Sequence, residues 1–528
     1  MMKLDWRYQH QEVDVVIVGA GAAGGVLAQE LSDAGLSVVI LEAGPLRSTQ
    51  KDLASDELAM QSLGWQETRI VSGDDPLTMG HNNSGYGVGG GTVHFTGVFL
   101  RFHESDFKTR SIDGVGEDWP IHYKDLEPYY NRIERDIGVA GPRHFPWGNY
   151  HGPYPLPERE ALSPNAEMFR IGCSKLNIQT VVTPLAIVTA PFKGRPPCIN
   201  RGFCNQGCMP TSKFTTLTVH IPKAMESGAV LLADCMATQI LMKDDLASGV
   251  LFMHQGVEYR QRAKLVIVCA FAVETPRLLL NSETSRYPEG LANSSGWVGR
   301  GIMPHSSYDV YAKFDYEVRL YKGTPVLSST QDFYATDRSR GFARGYTLHA
   351  HGSRPLEFAK GIAGGASNGA PLWGKMLRET MLDYNYYGRI TMVGEVLPYA
   401  GNRVTLSEEK DPFGLPRAHV SFSYGDNDLR LIDHAVDQMS AILRAASGKV
   451  EHIVSDTAHL MGGCRMGNDP EESVVNSFCQ SHDVPNLFIC DASVFVTSSG
   501  VNPTNTIMAI AARTADYIID KASKNELK

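Results

Sequence analysis

The feature that most constrains this 528-residue chain lies near its start. Val13–Val18 (VDVVIV) is an apolar run rich in β-branched residues, interrupted only by Asp14, as in a strand buried on both faces. Gly19-Ala20-Gly21-Ala22-Ala23-Gly24 follows and leads into a helical pattern over residues 25–34. A second strand, residues 37–41, ends at Glu42, 18 residues after Gly24. Strand, glycine turn, helix, strand and acid in this order make a dinucleotide-binding arrangement. Gly19 permits the tight turn, Gly21 lets main chain approach a pyrophosphate, and Gly24 lets the helix pack closely on the strand. The helix start offers free N–H groups and a positive dipole end to phosphates. Glu42 is placed to hold ribose hydroxyls. This spacing suits NAD and FAD alike; the tail Leu41-Glu42-Ala43-Gly44 leans towards a flavin.

The chain is too long for that unit alone. Lys and Arg (49) against Asp and Glu (58) leave a net charge of −9 with no basic block, so no nucleic-acid footprint is present. No apolar stretch reaches the roughly 18 to 20 residues of a membrane helix. Residues 1–10 are polar and run straight into the first strand, without the pattern of a signal peptide. The expected location is therefore cytoplasmic, or periplasmic or membrane-associated if a partner carries the chain out. Nine cysteines are too few for a disulfide scaffold.

In the middle of the chain, residues 86–96 read YGVGGGTVHFT. Consecutive glycines around Gly90 suggest main chain lying flat against a large planar group. His94 is the reactive side chain there, or a hydrogen-bonded core histidine. Cys198, Cys204 and Cys208 follow C-x5-C-x3-C. Zinc favours C-x2-C pairs and four ligands. Closely spaced thiolates suit an iron–sulfur cluster, three of them a three-iron one, and a metal-free loop is the other reading. Residues 264–269 (KLVIVC) form another buried strand. From about 307 to 450 the pattern changes to alternating strands (308–316, 345–351, 390–395) and an amphipathic helix over 429–443. This reads as a second domain inserted into the first. The Gly-rich stretch 361–373 is a candidate lid.

Two motifs near the end carry residues suited to alcohol oxidation: AHLMGGCRMG with His459, and SGVNPTNT with Asn502. A neutral histidine near its free pKa is a natural base for a hydroxyl proton. An asparagine holds the same oxygen without competing for that proton. A buried histidine by a glycine turn and an ordinary helix cap are the bland alternatives.

Taken in order, VIVGAGAAGG, LEAG, VGGGTVHF, ETPRLLL, NSSGWVGRGIMPH, AHLMGGCRMG, NLFICDAS and NPTNTIMAIAARTADYI resemble the glucose–methanol–choline (GMC) family of FAD-dependent oxidoreductases. The likeness spans nearly the whole chain and is strongest to the bacterial sugar dehydrogenases, with pyranose oxidases as relatives. It implies an α/β fold: a Rossmann-like FAD-binding domain with an inserted α+β substrate domain over a mixed sheet. Residues 10–306 would form the FAD domain, including the cysteine loop at 195–212. Residues 307–454 would form the substrate domain, and 455–528 the return to the first. By motif match His459 is the base, Asn502 its partner, Asp491 a contact to the flavin ribityl chain, and His94 a point where FAD attaches covalently. Gly19, Gly21, Gly24, Glu42 and Gly90 complete the cofactor set. The cysteine loop resembles that of dehydrogenases whose catalytic subunit carries a 3Fe-4S cluster, although a cysteine adjacent to the first in some of them is Ile199 here. The implied reaction is oxidation of a hydroxyl of a sugar, glycoside or polyol, with electrons leaving through the cluster to cytochrome c or a quinone and a small accessory subunit as partner. The alternative is a cluster-free oxidase that reduces O₂.

Overall fold

The computed structural model describes residues 11–526 apart from 54, 66, 80–83, 149, 151–152, 160–162 and 365–370. Residues 365–370 of the expected lid lie outside the described residues.

Two large sheets carry the molecule. The first has seven strands in the order Val230–Leu232, Val38–Leu41, Val13–Val18, Val257–Val268, Leu246–His254 and Met236–Lys243, with Leu487–Ile489 also on Val257–Val268. Its centre is parallel: Val13–Val18 runs alongside both Val38–Leu41 and the second half of Val257–Val268. Val15, Val16 and Ile17 are fully buried, as a strand covered on both faces requires. The first half of Val257–Val268 instead pairs antiparallel with Leu246–His254, so one long strand joins a parallel core to an antiparallel flap. Helix Ala22–Asp33 packs against the last helix, Thr504–Ser523, so the chain closes on its own beginning.

The second sheet has six strands, in the order Lys449–Met461, Met303–Lys313, Tyr387–Gly394, Tyr346–His351, Val326–Thr330 and Val181–Val182, antiparallel throughout. Val181–Val182 comes from the first part of the chain, and two strands run across 306/307 and 454/455 rather than stopping there. Alternate residues divide its faces. Leu348, Ala350, Ile390 and Met392 are buried in the core, where the strands meet helices Pro164–Lys175 and Asp426–Ala445. His349, His351, Arg389 and Thr391, of the opposite parity, line a cavity facing the first sheet. That division places the site.

Candidate active site

One cavity runs between the two sheets. Gly19, Gly21, Glu42, Gly90, His94, Asp491, His459 and Asn502 all lie on its wall; Gly24 and the cysteines at 198, 204 and 208 do not.

The nucleotide end is made of main chain. Gly19 has φ +101°, and a Cβ on it would sit 2.3 Å from the carbonyl oxygen of Cys269. A Cβ on Gly24 would fall 1.9 Å from the carbonyl oxygen of Gly19, so the helix meets the turn only through glycine. Gly21 and Gly91 are different. A Cβ on either meets no protein atom within 4 Å and would project into open space at the cavity wall. No side chain caps the start of helix Ala22–Asp33, whose N-cap is Gly21, so its first N–H groups remain available to an anion. Glu42 is buried, and its two carboxylate oxygens accept the N–H groups of Ala20 and Gly44, each at 2.9 Å. Burial pushes its carboxyl up against those hydrogen bonds, and each oxygen keeps a lone pair for a ligand hydroxyl. Asp491 accepts from Ser493 N–H at 2.7 Å, Phe271 N–H at 2.9 Å and the Thr275 hydroxyl, and burial raises its carboxyl too. These groups fit the phosphates and hydroxyls of FAD. His94 ends the short helix Gly91–His94. That segment is pinned from behind by buried Lys213, whose ammonium donates to the carbonyls of Thr92, Val93 and Phe95 at 2.9–3.0 Å.

At the other end, His459 is aimed by an irregularity in the sheet. Its strand pairs Met461 with Met303 and Ala458 with His305, leaving two residues opposite one, and His459 has φ +52°. Such a bulge turns a side chain out of the regular alternation. His305 then settles the tautomer. Its Nε2 lies 3.1 and 2.9 Å from the carbonyl oxygens of Ser498 and Ser499, which only accept, so Nε2 carries the proton. Burial lowers His305 to about 4, so it is neutral and its Nδ1 is an acceptor. The His459 Nδ1–H donates to it at 2.9 Å. The lone pair of His459 is thereby left on Nε2, where the Asn502 amide donates to it at 3.2 Å. Burial, with His305 and His349 adding to it, holds His459 well below 6.5, so the ring is an unprotonated acceptor at neutral pH. The Asn502 carbonyl oxygen is buried and hydrogen-bonded to His349.

The cysteine loop departs from expectation. Cys204 is buried and Cys198 and Cys208 half-buried, all as free thiols, and among the described residues no three His, Cys, Asp or Glu side chains are grouped to hold a metal. The donor set for the expected 3Fe-4S cluster is thus not assembled. The protein's own groups fasten the loop instead. Cys208 sulfur accepts the Lys213 N–H at 3.3 Å, and Arg354 lies 3.4 Å above the Phe203 ring while donating to the carbonyls of Arg201 and Gly202. Burial pushes the Cys204 thiol up to about 12, which keeps it protonated.

Sequence reasoning did not single out His305, His349 or Arg389. His305 closes the NSSGWVGRGIMPH motif. The others carry a period-two signal, His349/His351 and Arg389/Thr391, which marks a polar sheet face.

The chain is similar to known proteins along most of its length. Residues 13–306 and 398–511 match the N- and C-terminal models of the GMC oxidoreductase family. The chain is 34% identical to a 2-methyl-1,2-propanediol dehydrogenase from Mycolicibacterium austroafricanum, over 96% of this chain and 95% of that protein. It is 30% identical to a fructose dehydrogenase large subunit from Gluconobacter japonicus, over 96% and 98%. Among solved structures, pyridoxine 4-oxidase from Mesorbium loti superposes with a TM-score of 0.67 at 17% identity, covering 96% of this chain and 99% of that one.

Proposed function

The chain belongs to the GMC oxidoreductase family, flavoenzymes that oxidise alcohol and sugar hydroxyls, and from that premise we propose that His459 and Asn502 form its catalytic pair for a sugar, glycoside or polyol. The observation that carries this reading is the fixed lone pair on His459 Nε2, opposite a donating amide, on the wall of a cavity whose far end fits a dinucleotide. FAD bound there supplies the hydride acceptor. The protein's part is the proton. His459 Nε2 takes it from the hydroxyl as the C–H bond gives up its hydride, so the alcohol becomes a carbonyl. Asn502 donates to the same oxygen and fixes its place. His305 stabilises the imidazolium that forms by accepting from Nδ1, as a base held in one tautomer requires.

The test is anaerobic bleaching of the flavin by a panel of sugars and polyols. Bleaching by at least one of them is expected, and a flavin that none of them bleaches would remove the reading. Acid precipitation of the same preparation tests the link to FAD at His94: a covalent flavin stays with the pellet, and His94→Ala releases it. Iron content and peroxide production test the onward route. About three irons per flavin would support a cluster relay to a cytochrome or quinone and direct the search to a small co-purifying subunit. The second reading is an oxidase that hands its electrons to O₂, and iron-free enzyme that forms peroxide would support it.

A further inference from the structure

The reading above gives the Asn502 amide a donating role, and an amide fills that role in only one of its two orientations. Turned over, it would set its carbonyl oxygen against the substrate hydroxyl and accept the very proton that His459 must take. In the unliganded site the donating edge is fixed from one side by His459, whose Nε2 accepts it at 3.2 Å. Once a hydroxyl stands between the two residues that direct bond is gone. A hydroxyl both donates and accepts, so it satisfies either edge of the amide. The direction must then be held from behind.

Behind the amide stands His349, hydrogen-bonded to Asn502. With the amide nitrogen turned to His459, the edge that faces His349 is the carbonyl oxygen, which only accepts, so the proton of His349 is on Nε2. Burial pulls His349 down to about 3, so the neutral ring carries that one proton and its Nδ1 is an acceptor. Nδ1 lies 2.6 Å from the Ser329 hydroxyl, which therefore donates. Strand pairing makes this contact: Ser329 on Val326–Thr330 is directly opposite His349 on Tyr346–His351, so the two side chains share a face. Ser329 is buried and does not line the cavity. Its oxygen also meets the Thr183 hydroxyl, and because its own proton goes to His349, Thr183 is the donor there.

We propose that Ser329 is a positioning residue for the oxidation: by donating to His349 Nδ1 it keeps the proton on Nε2, and that N–H holds Asn502 with its donating edge towards His459 and the substrate oxygen. The proposal rests on the reading of His459 and Asn502 as base and amide partner. Without the Ser329 donor the neutral His349 ring is free to move its proton to Nδ1. Its Nε2 then accepts, and the Asn502 amide turns to donate to it. The carbonyl oxygen now faces the substrate hydroxyl and still binds it, but it draws the O–H away from His459 and offers no donor to the oxygen as negative charge develops there. Binding survives such a change while the reaction slows, so the loss belongs in the limiting rate.

The test compares Ser329→Ala with Thr183→Val in the holoenzyme, by anaerobic stopped-flow bleaching with the best hydroxyl donor. Each variant removes one buried hydroxyl from the same pair, so a packing role predicts equal effects. Ser329→Ala is expected to lower the limiting rate about tenfold, as when a partner behind a site residue is lost, with flavin content and the half-saturating concentration close to wild type. Thr183→Val should keep the wild-type limiting rate, because Ser329 retains its proton for His349. Nitrogen-15 spectra of histidine-labelled wild-type holoenzyme read the tautomer of His349 without any variant, and a proton on Nε2 is expected. A proton on Nδ1 there, an unchanged limiting rate in Ser329→Ala, equal losses in the two variants, or a loss confined to the half-saturating concentration would each overturn the proposal while leaving hydroxyl oxidation standing. If no hydroxyl compound bleaches the wild-type flavin, the reading of His459 and Asn502 falls and this proposal with it.

Discussion

At the nucleotide end of the cavity the wall is main chain: Gly19, Gly21, Gly90 and Gly91 present peptide groups, and the first turn of a helix stands uncapped behind them. At the substrate end the wall is side chain: His459, Asn502, His349, Arg389 and Asp456 project from three strands and a loop that lie far apart in sequence. The two ends are therefore sensitive to different changes. The first fails when an atom is added, the second when a particular atom is removed. Binding a phosphate through N–H groups asks only that nothing stand in the way. Moving a proton asks for one lone pair on one nitrogen.

The largest expected effect tests the first half of that contrast. Gly24→Val pushes side-chain atoms into the carbonyl of Gly19, and it should yield protein with no bound flavin and poor solubility. Gly21→Ala sharpens the point, because its methyl meets no protein atom within 4 Å. The Ala variant should fold with a thermal midpoint matching that of wild-type apoprotein and yet lose most of its flavin. A flavin-to-protein ratio equal to wild type in Gly21→Ala would show that the cofactor does not approach this turn.

At the substrate end, His459→Ala should retain its flavin and lose bleaching by roughly 10²- to 10⁴-fold, the usual contribution of a positioned base. Stopped-flow reduction with the best hydroxyl donor reads it directly. A wild-type bleaching rate in this variant would take His459 out of the proton transfer.

The same contrast explains what the sequence disclosed. The nucleotide turn is local: residues 13–42 contain the strand, the turn, the helix and the acid, so one reading frame exposes the whole device. Some of the helices and strands were visible for the same reason, as with 429–443, found as Asp426–Ala445. His459 and Asn502 were visible because each sits in a dense motif. The rest of the substrate wall was not, because His305, His349 and Arg389 come together only through antiparallel pairing of strands more than forty residues apart in places. The cysteine loop is a different case. Its spacing is local and suggestive, but whether three sulfurs converge depends on what else fastens the loop, and here Lys213 and Arg354 do so.

A smaller effect is expected one step back from the proton. His305→Leu removes the acceptor for the His459 Nδ1–H and frees the ring to adopt the other tautomer, and roughly a 10- to 100-fold slower bleaching rate should follow, as when a partner that orients an imidazole is lost. His305→Gln should recover much of this, since its amide can donate to the Ser498 and Ser499 carbonyls and accept from His459 at once. Equal losses in the two variants would mean that His305 matters only for packing.

The smallest effect is in the pH profile. A histidine free in water titrates near 6.5, and a base with that pKa would lose half its competence there as the pH falls. His459 is held well below 6.5 by burial and by its two histidine neighbours, so it stays unprotonated as pH drops through that value. The bleaching rate at saturating substrate should therefore be flat from about pH 8 down to about pH 6, with any acid limb below the ordinary histidine range. Because His305 is also neutral over that span, the tautomer that points the lone pair at the cavity persists with it. Opening the site to water by His349→Ala should raise the midpoint towards 6.5, since it removes one neighbour and part of the burial. A midpoint near 6.5 already in the wild type would mean that water reaches His459 freely, and that the substrate end is not the dry, side-chain-built counterpart of the nucleotide turn.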